Sequence, residues 1–199
     1  MKLLRSYGVV VLILALIAAT LTHQVARAYV ICCTWPGHDG YYKLHSSLPS
    51  QFTGPTDRGA NAWTAVPESA WTWHRDTYTD NYVKYGSIDG KYKTLAQTTR
   101  WLNGNTLYKI EIKYDSAETW YTGTGTPQAD QVDAWSVATH EFGHALGLRH
   151  TQPENCPGGA GNATMCKSSE SYGVTYARTL EYDDRLGVTV AYPVKEAGK

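Results

Sequence analysis

The sequence predicts an α+β domain, and three observations carry that reading. Short stretches of strand character lie between residues 41 and 114 and include one strong hairpin signal, Asn103-Gly104. A helix follows that bears His140-Glu141-Phe142-Gly143-His144. A second helix closes the chain after a stretch rich in Gly, Ser, Asn and Pro. Strands first and helices afterwards is an α+β order, not the strict alternation of a doubly wound fold.

The elements follow from period and punctuation. Tyr41 to His45 alternates weakly and reads as a strand. Asp57 to Ala65 reads as a short helix, with Thr56 as N-cap, Pro67 as the stop, and Ala60, Trp63 and either Ala65 or Val66 facing inward. Trp71 to His74 and Tyr82 to Tyr85 read as strands. Thr94 to Trp101 and Thr106 to Tyr114 flank the Asn103-Gly104 turn, and Ile110 and Ile112 share a face opposite Lys109, Glu111 and Lys113. The next helix starts at Asp130 or just after it, capped by Asp130, with Asp133 near its positive end. Val132, Trp135, Ala138 and Phe142 keep helical spacing beside the histidines. Residues 151–178 read as loop, and a last helix runs from about Leu180 to Ala191, before Pro193.

Residues 1–28 read as an address and not as fold. Lys2 and Arg5 form a basic start, Gly8 to Ala19 is apolar, and Ala26-Arg27-Ala28 is an A-x-A cleavage pattern. The apolar run is too short to span a bilayer comfortably. The expectation is a signal peptide at 1–28 and one secreted, extracellular domain at 29–199, with no stable membrane association after the signal is removed. The remaining 171 residues suffice for one domain with a real core. They hold 15 basic and 18 acidic residues, a balance of about −3 that offers nothing to nucleic acid or an anionic membrane. A monomer is expected. Fifteen tyrosines and seven tryptophans are many, and half-buried strand positions account for them better than a carbohydrate platform does.

The four cysteines, Cys32, Cys33, Cys156 and Cys166, make two disulfides the expectation in an exported chain. Pairing Cys156 with Cys166 would leave Cys32 and Cys33 to form a strained ring or to stay free. Cross pairing between the two groups avoids that strain and is favoured on this ground.

The chemistry lies in His140-Glu141-x-x-His144-x-x-Gly147-x-x-His150. Positions four apart share a helix face, so His140 and His144 can address one ion. Gly147 tolerates positive φ and lets the helix end, so the chain can return His150 as a third ligand. Three nitrogen ligands leave an open position on a tetrahedral Zn²⁺, the mark of a catalytic site. Glu141 is placed to serve as general base towards a water without binding the ion. His38, His45 and His74 have no metal spacing and read as surface or hydrogen-bonded histidines. Asn162-Ala163-Thr164 is a glycosylation sequon, read as incidental.

The extended motif resembles that of the metzincins, zinc endopeptidases with a methionine turn, and Met165, fifteen residues past His150, is the candidate for that turn. Within them the chain is similar to the matrixins. Trp135-Ser136-Val137-Ala138-Thr139 with the histidines resembles that family's active-site helix, and Leu180 to Val188, with paired aspartates, resembles its C-terminal helix. Asp115, Glu118 and Trp120 match a D-x-x-E-x-W segment, and Leu95-Ala96 weakly resembles the edge strand. The resemblance implies a metzincin-like catalytic domain: a twisted, mainly parallel five-stranded sheet packed on the zinc helix and a C-terminal helix. It further implies an extended peptide pairing along the edge strand, one catalytic zinc, peptide-bond hydrolysis and a protein or peptide substrate. Asp115 and Glu118 match calcium ligands, which makes Ca²⁺ a possible but weak second cofactor, since two carboxylates are not a cage.

The chain also departs from the family. No propeptide switch, accessory domain or H-x-D pair between residues 80 and 130 is recognisable, so no structural zinc of that type is expected. Cys166-Lys167-Ser168 replaces the Pro-x-Tyr wall after the methionine, so substrate preference does not carry over. Tyr172 or Tyr176 is a candidate to steady an oxyanion. Two other classes compete: a binding protein that keeps the zinc fold without catalysis, and a zinc hydrolase of a non-peptide bond. The intact Glu141 argues against the first, and the third histidine with Met165 against the second.

Overall fold

The structure is a computed structural model and describes residues 29–151, 156, 163–167 and 171–194. The export signal and Asn162 of the sequon lie outside the described residues. Strands β1 (Val30–Ile31) and β2 (Asp39–Leu44) lead to a 3₁₀ turn and helix α1 (Thr53–Thr64). Strands β3 (Thr72–Arg75), β4 (Tyr82–Gly86), β5 (Ala96–Asn103) and β6 (Thr106–Asp115) follow. After two short strands, β7 (Trp120–Tyr121) and β8 (Val132–Asp133), come α2 (Ala134–Leu146), β9 (Leu148–Arg149) and α3 (Tyr182–Ala191).

The main sheet has the order β3-β2-β4-β6-β5. Its first three pairings are parallel, and only the β5–β6 hairpin is antiparallel. This is the expected mainly parallel five-stranded sheet, with β5 at one edge. Period-two patterning sets its faces: Ile110, Ile112 and Tyr114 are fully buried, while Lys109, Glu111 and Lys113 are less so, with Glu111 bonded to Lys84; Leu107, also buried, lies beyond the register shift in the hairpin.

Aromatic packing joins α2 to the sheet. The Phe142 ring lies 5.0 Å from Tyr42 and 5.1 Å from Trp73, both edge-on. Helix α1 crosses α2 and Trp63 Nε1 donates to the Thr139 carbonyl at 2.7 Å. Of the inward positions expected on α1, Ala60, Trp63 and Val66 are buried and Ala65 is exposed.

Several boundaries move. Helix α1 begins four residues earlier than expected, so Thr56 is buried inside it, with Oγ1 bonded to the Tyr114 hydroxyl. The hairpin turn is Gly104-Asn105, because Asn103 pairs with Thr106 and Gly104 takes the positive φ of 59°. Helix α2 starts at Ala134 and its cap is Asp133, whose Oδ2 accepts the Ser136 N–H. Asp130 does not cap it, because Val132 and Asp133 are drawn out to pair with β7. Helix α3 starts two residues late, behind a capping box between Glu181 and Asp184.

The cysteines correct the favoured pairing. Cys156 bonds to Cys166, with Cα atoms 5.8 Å apart, and Cys32 and Cys33 are free. Strand β1 pairs antiparallel with β9, and the Cys32 N–H donates to the Gly147 carbonyl, which carries these two residues to the end of α2. Burial first, and its neighbour Cys32 second, push the Cys33 thiol up to about 12, so it is a neutral, inert side chain.

Gly143 explains itself by contact. A Cβ there would meet Met165 Sδ at 2.3 Å and the Trp63 ring at 2.6 Å, both buried. Gly143→Ala gains about 1 kcal/mol of helix propensity but overpacks at the upper end of about 1–3 kcal/mol. The net loss expected in urea unfolding is about 1–2 kcal/mol at unchanged m-value.

Candidate metal centre and cleft

Helix α2 delivers His140 and His144 one turn apart. Gly147, at φ 102°, ends the helix, and β9 carries the chain on to His150. The three Nε2 atoms converge: 3.0 Å from His140 to His144, 3.1 Å from His140 to His150, and 3.2 Å from His144 to His150. Nitrogens bound at about 2.0–2.1 Å to a tetrahedral zinc stand about 3.3 Å apart, so the triangle fits such an ion with a few tenths of an ångström of relaxation. Among the described residues it is the one cluster of three or more His, Cys, Asp or Glu side chains able to hold a metal.

The tautomers are set behind the ring. His140 Nδ1 lies 2.6 Å from the Thr164 carbonyl and His144 Nδ1 lies 2.8 Å from the Leu148 carbonyl. A carbonyl can only accept, so both Nδ1 atoms carry the proton and both Nε2 atoms present a lone pair to the cluster. Burial is the main cause that holds all three imidazoles below the ordinary histidine value, His140 far below it and His144 at about 4. For His150 the nearby Lys167 and Arg100 charges add to burial. All three are neutral at pH 7, as ligation requires.

Glu141 is buried beside this cluster, and its Oε2 accepts the Thr98 hydroxyl at 2.5 Å. Burial pushes the Glu141 carboxyl up to about 7, against the pull of that hydroxyl and of Arg100. Arg100 donates from one nitrogen to the carbonyls of His144 and Leu148, both at 3.1 Å, and so fastens the end of α2 to the edge strand. Met165 is fully buried beneath Gly143. Asp184 holds its turn: Oδ2 accepts the N–H of Thr164 at 2.6 Å and of Glu181 at 3.0 Å, and Oδ1 accepts that of Met165 at 3.0 Å. Burial raises the Asp184 carboxyl against the pull of these donors, to about 6 on balance, so at pH 7 the carboxylate predominates. Asp183 binds the Tyr29 N–H at 3.1 Å and the Thr151 hydroxyl at 3.3 Å.

Thr98 and Arg100 lie some forty residues from the motif, and no local signal marks them. Asp184 belongs to the paired aspartates that stand out only by resemblance. Asp115 and Glu118 lie away from the histidines' cluster. The Asp115 carboxylate accepts the N–H groups of Asp89, Gly90 and Ala117; Glu118 accepts the Tyr92 N–H and the Tyr172 hydroxyl. Tyr172 lines the cleft, but its hydroxyl is committed to Glu118; Tyr176 does not line it. His45 meets Ser47 and His74 pairs with exposed Asp39.

The cluster opens into a cleft of about 900 Å³ along β5. The sequence model of the matrixin family, a peptidase family, matches residues 71–193, more than half the chain and all of these groups from Thr98 to Asp184. The chain belongs to the matrixin family. Among curated matrixins, stromelysin-3 from Mus musculus is 37 % identical over 82 residues, which covers 41 % of this chain and 14 % of the relative. Matrix metalloproteinase-25 from the same species is 34 % identical over 83 residues, covering 42 % and 12 %. Human stromelysin-3 is 36 % identical over 83 residues, covering 41 % and 14 %. The chain thus matches about one seventh of the length of these relatives, and the likeness to them is a likeness of part of this domain.

Asp184→Ala leaves three N–H groups without their charged acceptor inside the protein. The expected loss of stability is about 2–4 kcal/mol, read from the urea midpoint.

Proposed function

We propose that this matrixin is a secreted zinc-dependent endopeptidase, made with a signal peptide at 1–28 and acting as a monomer through a single domain at 29–199. The observation that carries the reading is the closed triangle of three neutral Nε2 atoms at the floor of an open cleft, with a buried carboxylate alongside. His140, His144 and His150 would hold the ion. Zinc bound there supplies Lewis acidity, which brings the pKa of water towards 7 and polarises a carbonyl.

The remaining work falls to the protein. Glu141 takes a proton from the attacking water and passes it to the leaving amine. The Thr98 hydroxyl keeps its carboxylate aimed, and a pKa raised by burial suits a group that must both accept and release a proton near neutrality. Thr164 and Leu148 fix the imidazole planes through Nδ1. Met165 supports the histidine helix by packing and has no part in proton transfer. The outer edge of β5 offers unpaired backbone groups to which an extended protein or peptide substrate can add as a strand.

Export is supported by the signal pattern, by the Cys156–Cys166 disulfide, and by the absence among the described residues of any helix long and apolar enough to cross a membrane. Cleavage after Ala28 would leave an α-amino group at Tyr29, whose nitrogen already lies 3.1 Å from Asp183.

The test uses the mature chain from Tyr29, with bound zinc quantified and cleavage of casein and gelatin followed. One zinc per chain is expected, with activity lost to a chelator and regained on adding zinc. Glu141→Gln should keep the zinc and lose about 10²–10⁴-fold in kcat. Zinc bound without cleavage of any protein would support a non-catalytic binding role or a non-peptide substrate, and no zinc in a folded chain would sink the reading.

A further inference from the structure

The charges around the cleft are one-sided. Lys93 leads into β5, Arg100 lies on it, Arg149 precedes His150, and Lys167 follows Cys166; all four line the cleft. Glu141 is the one carboxylate among the described residues that line it, and it is buried against Thr98. The chain as a whole carries 18 basic and 18 acidic residues, so this imbalance belongs to the cleft and not to the composition.

Most other described cations have a partner: Lys43, Arg58, Lys91 and Lys109 each lie over an aromatic ring. Arg75, Lys84, Arg178 and Arg185 are each paired with a carboxylate. Lys93, Arg149 and Lys167 are exposed and make no ion pair with any described residue. Arg100 is tied to two carbonyls, which fix its position without neutralising it.

We propose that the cleft selects acidic peptide segments, with Asp or Glu side chains flanking the scissile bond held by Lys93, Arg149 and Lys167. The proposal rests on the peptidase reading and names its substrate class. A concave site lined by one sign of charge concentrates the field, attracts the opposite charge and repels its own. An acidic side chain beside the scissile bond meets three exposed cations that have no carboxylate partner among the described residues. A lysine or arginine there meets the same three and is rejected. Tyr172 and Leu95 supply apolar surface in the cleft, so charge determines which flanking residues are accepted, not whether a peptide fits.

The test compares three internally quenched peptides that share one central sequence and carry Glu, Gln or Lys on both sides of it. The zinc-loaded chain from Tyr29 should cleave the Glu peptide with kcat/KM roughly tenfold or more above the Lys peptide, with Gln between. High salt should shrink the ratio, because these charges are exposed. The double variant Lys93→Glu, Lys167→Glu should lower or invert the Glu:Lys ratio, a quantity independent of how much of the variant folds. In parallel, zinc-loaded Glu141→Gln is titrated with the same peptides by fluorescence anisotropy.

Equal rates for the Glu and Lys peptides, or a ratio that the charge reversals leave unmoved, would overturn the proposal and leave the peptidase reading standing. If no peptide is cleaved, the peptidase reading falls and the anisotropy arm decides: preferential binding of the Glu peptide upholds acidic selection, and equal binding overturns it.

Discussion

Two imidazoles, one buried and one half-buried, that must each place a proton on Nδ1 constrain this structure more than any other requirement. A histidine can turn a lone pair towards a shared point only if its other nitrogen has an acceptor behind it. For His140 that acceptor is the Thr164 carbonyl and for His144 the Leu148 carbonyl. Neither acceptor lies within a helix, so a turn and a short strand have to be brought against α2 and kept there. Much of the surrounding architecture is the means of doing so.

Leu148 is held from two directions. Strand β9 pairs with β1, which ties the start of the described chain to the end of α2, and Arg100 reaches from the edge strand to the same carbonyl that His144 uses. Thr164 is held by Asp184, whose carboxylate also takes the Met165 N–H and closes the capping box of α3. One buried anion therefore fixes both the acceptor for His140 and the methionine under Gly143. The small residue in the middle of the histidine motif is the complement of that methionine, because any side chain there would displace it. The floor of the cleft is a chain of dependencies that runs from α3 through a turn to α2.

Local features were legible in the sequence, and distant partners were not. His140, His144 and His150 stand at spacings that helix geometry and one glycine turn into a triangle, so their convergence follows from the chain itself. The α+β order, the hairpin and the two faces of β6 are likewise local, whereas the mainly parallel five-stranded sheet came from family likeness and its strand order from the fold alone. Thr98, Arg100 and Asp184 act across 43, 44 and 19–20 residues, and only the fold supplies those partners. The same limit explains the cap and the cysteines. Asp130 and Asp133 are equivalent as sequence, and Asp133 prevails because β7 extends Val132 and Arg178 neutralises its carboxylate through two nitrogens. Ring strain at adjacent cysteines favours cross pairing, but β1 takes Cys32 and Cys33 to Gly147, and Cys156 is left to close a loop with Cys166.

Asp115 and Glu118 show how one spacing can serve two ends. Converging carboxylate oxygens can serve a cation and a set of N–H donors. Here the turn before β5 offers donors, and Asp115 and Glu118 accept them. Burial alone would raise the Asp115 carboxyl; the backbone donors outweigh it and hold the group below the usual carboxylate range, as an anion inside a turn. Within that turn Tyr92 sits at φ 66°, a left-handed conformation that costs a bulky residue on the order of 1–3 kcal/mol. It stays there because Glu118 takes its N–H at 2.6 Å and its ring packs 5.4 Å from Tyr172. Glu118 also takes the Tyr172 hydroxyl, so one carboxylate links the segment that enters the edge strand to a tyrosine that lines the cleft. Protein groups hold this edge of the cleft, and the strain at Tyr92 is offset by both of its partners.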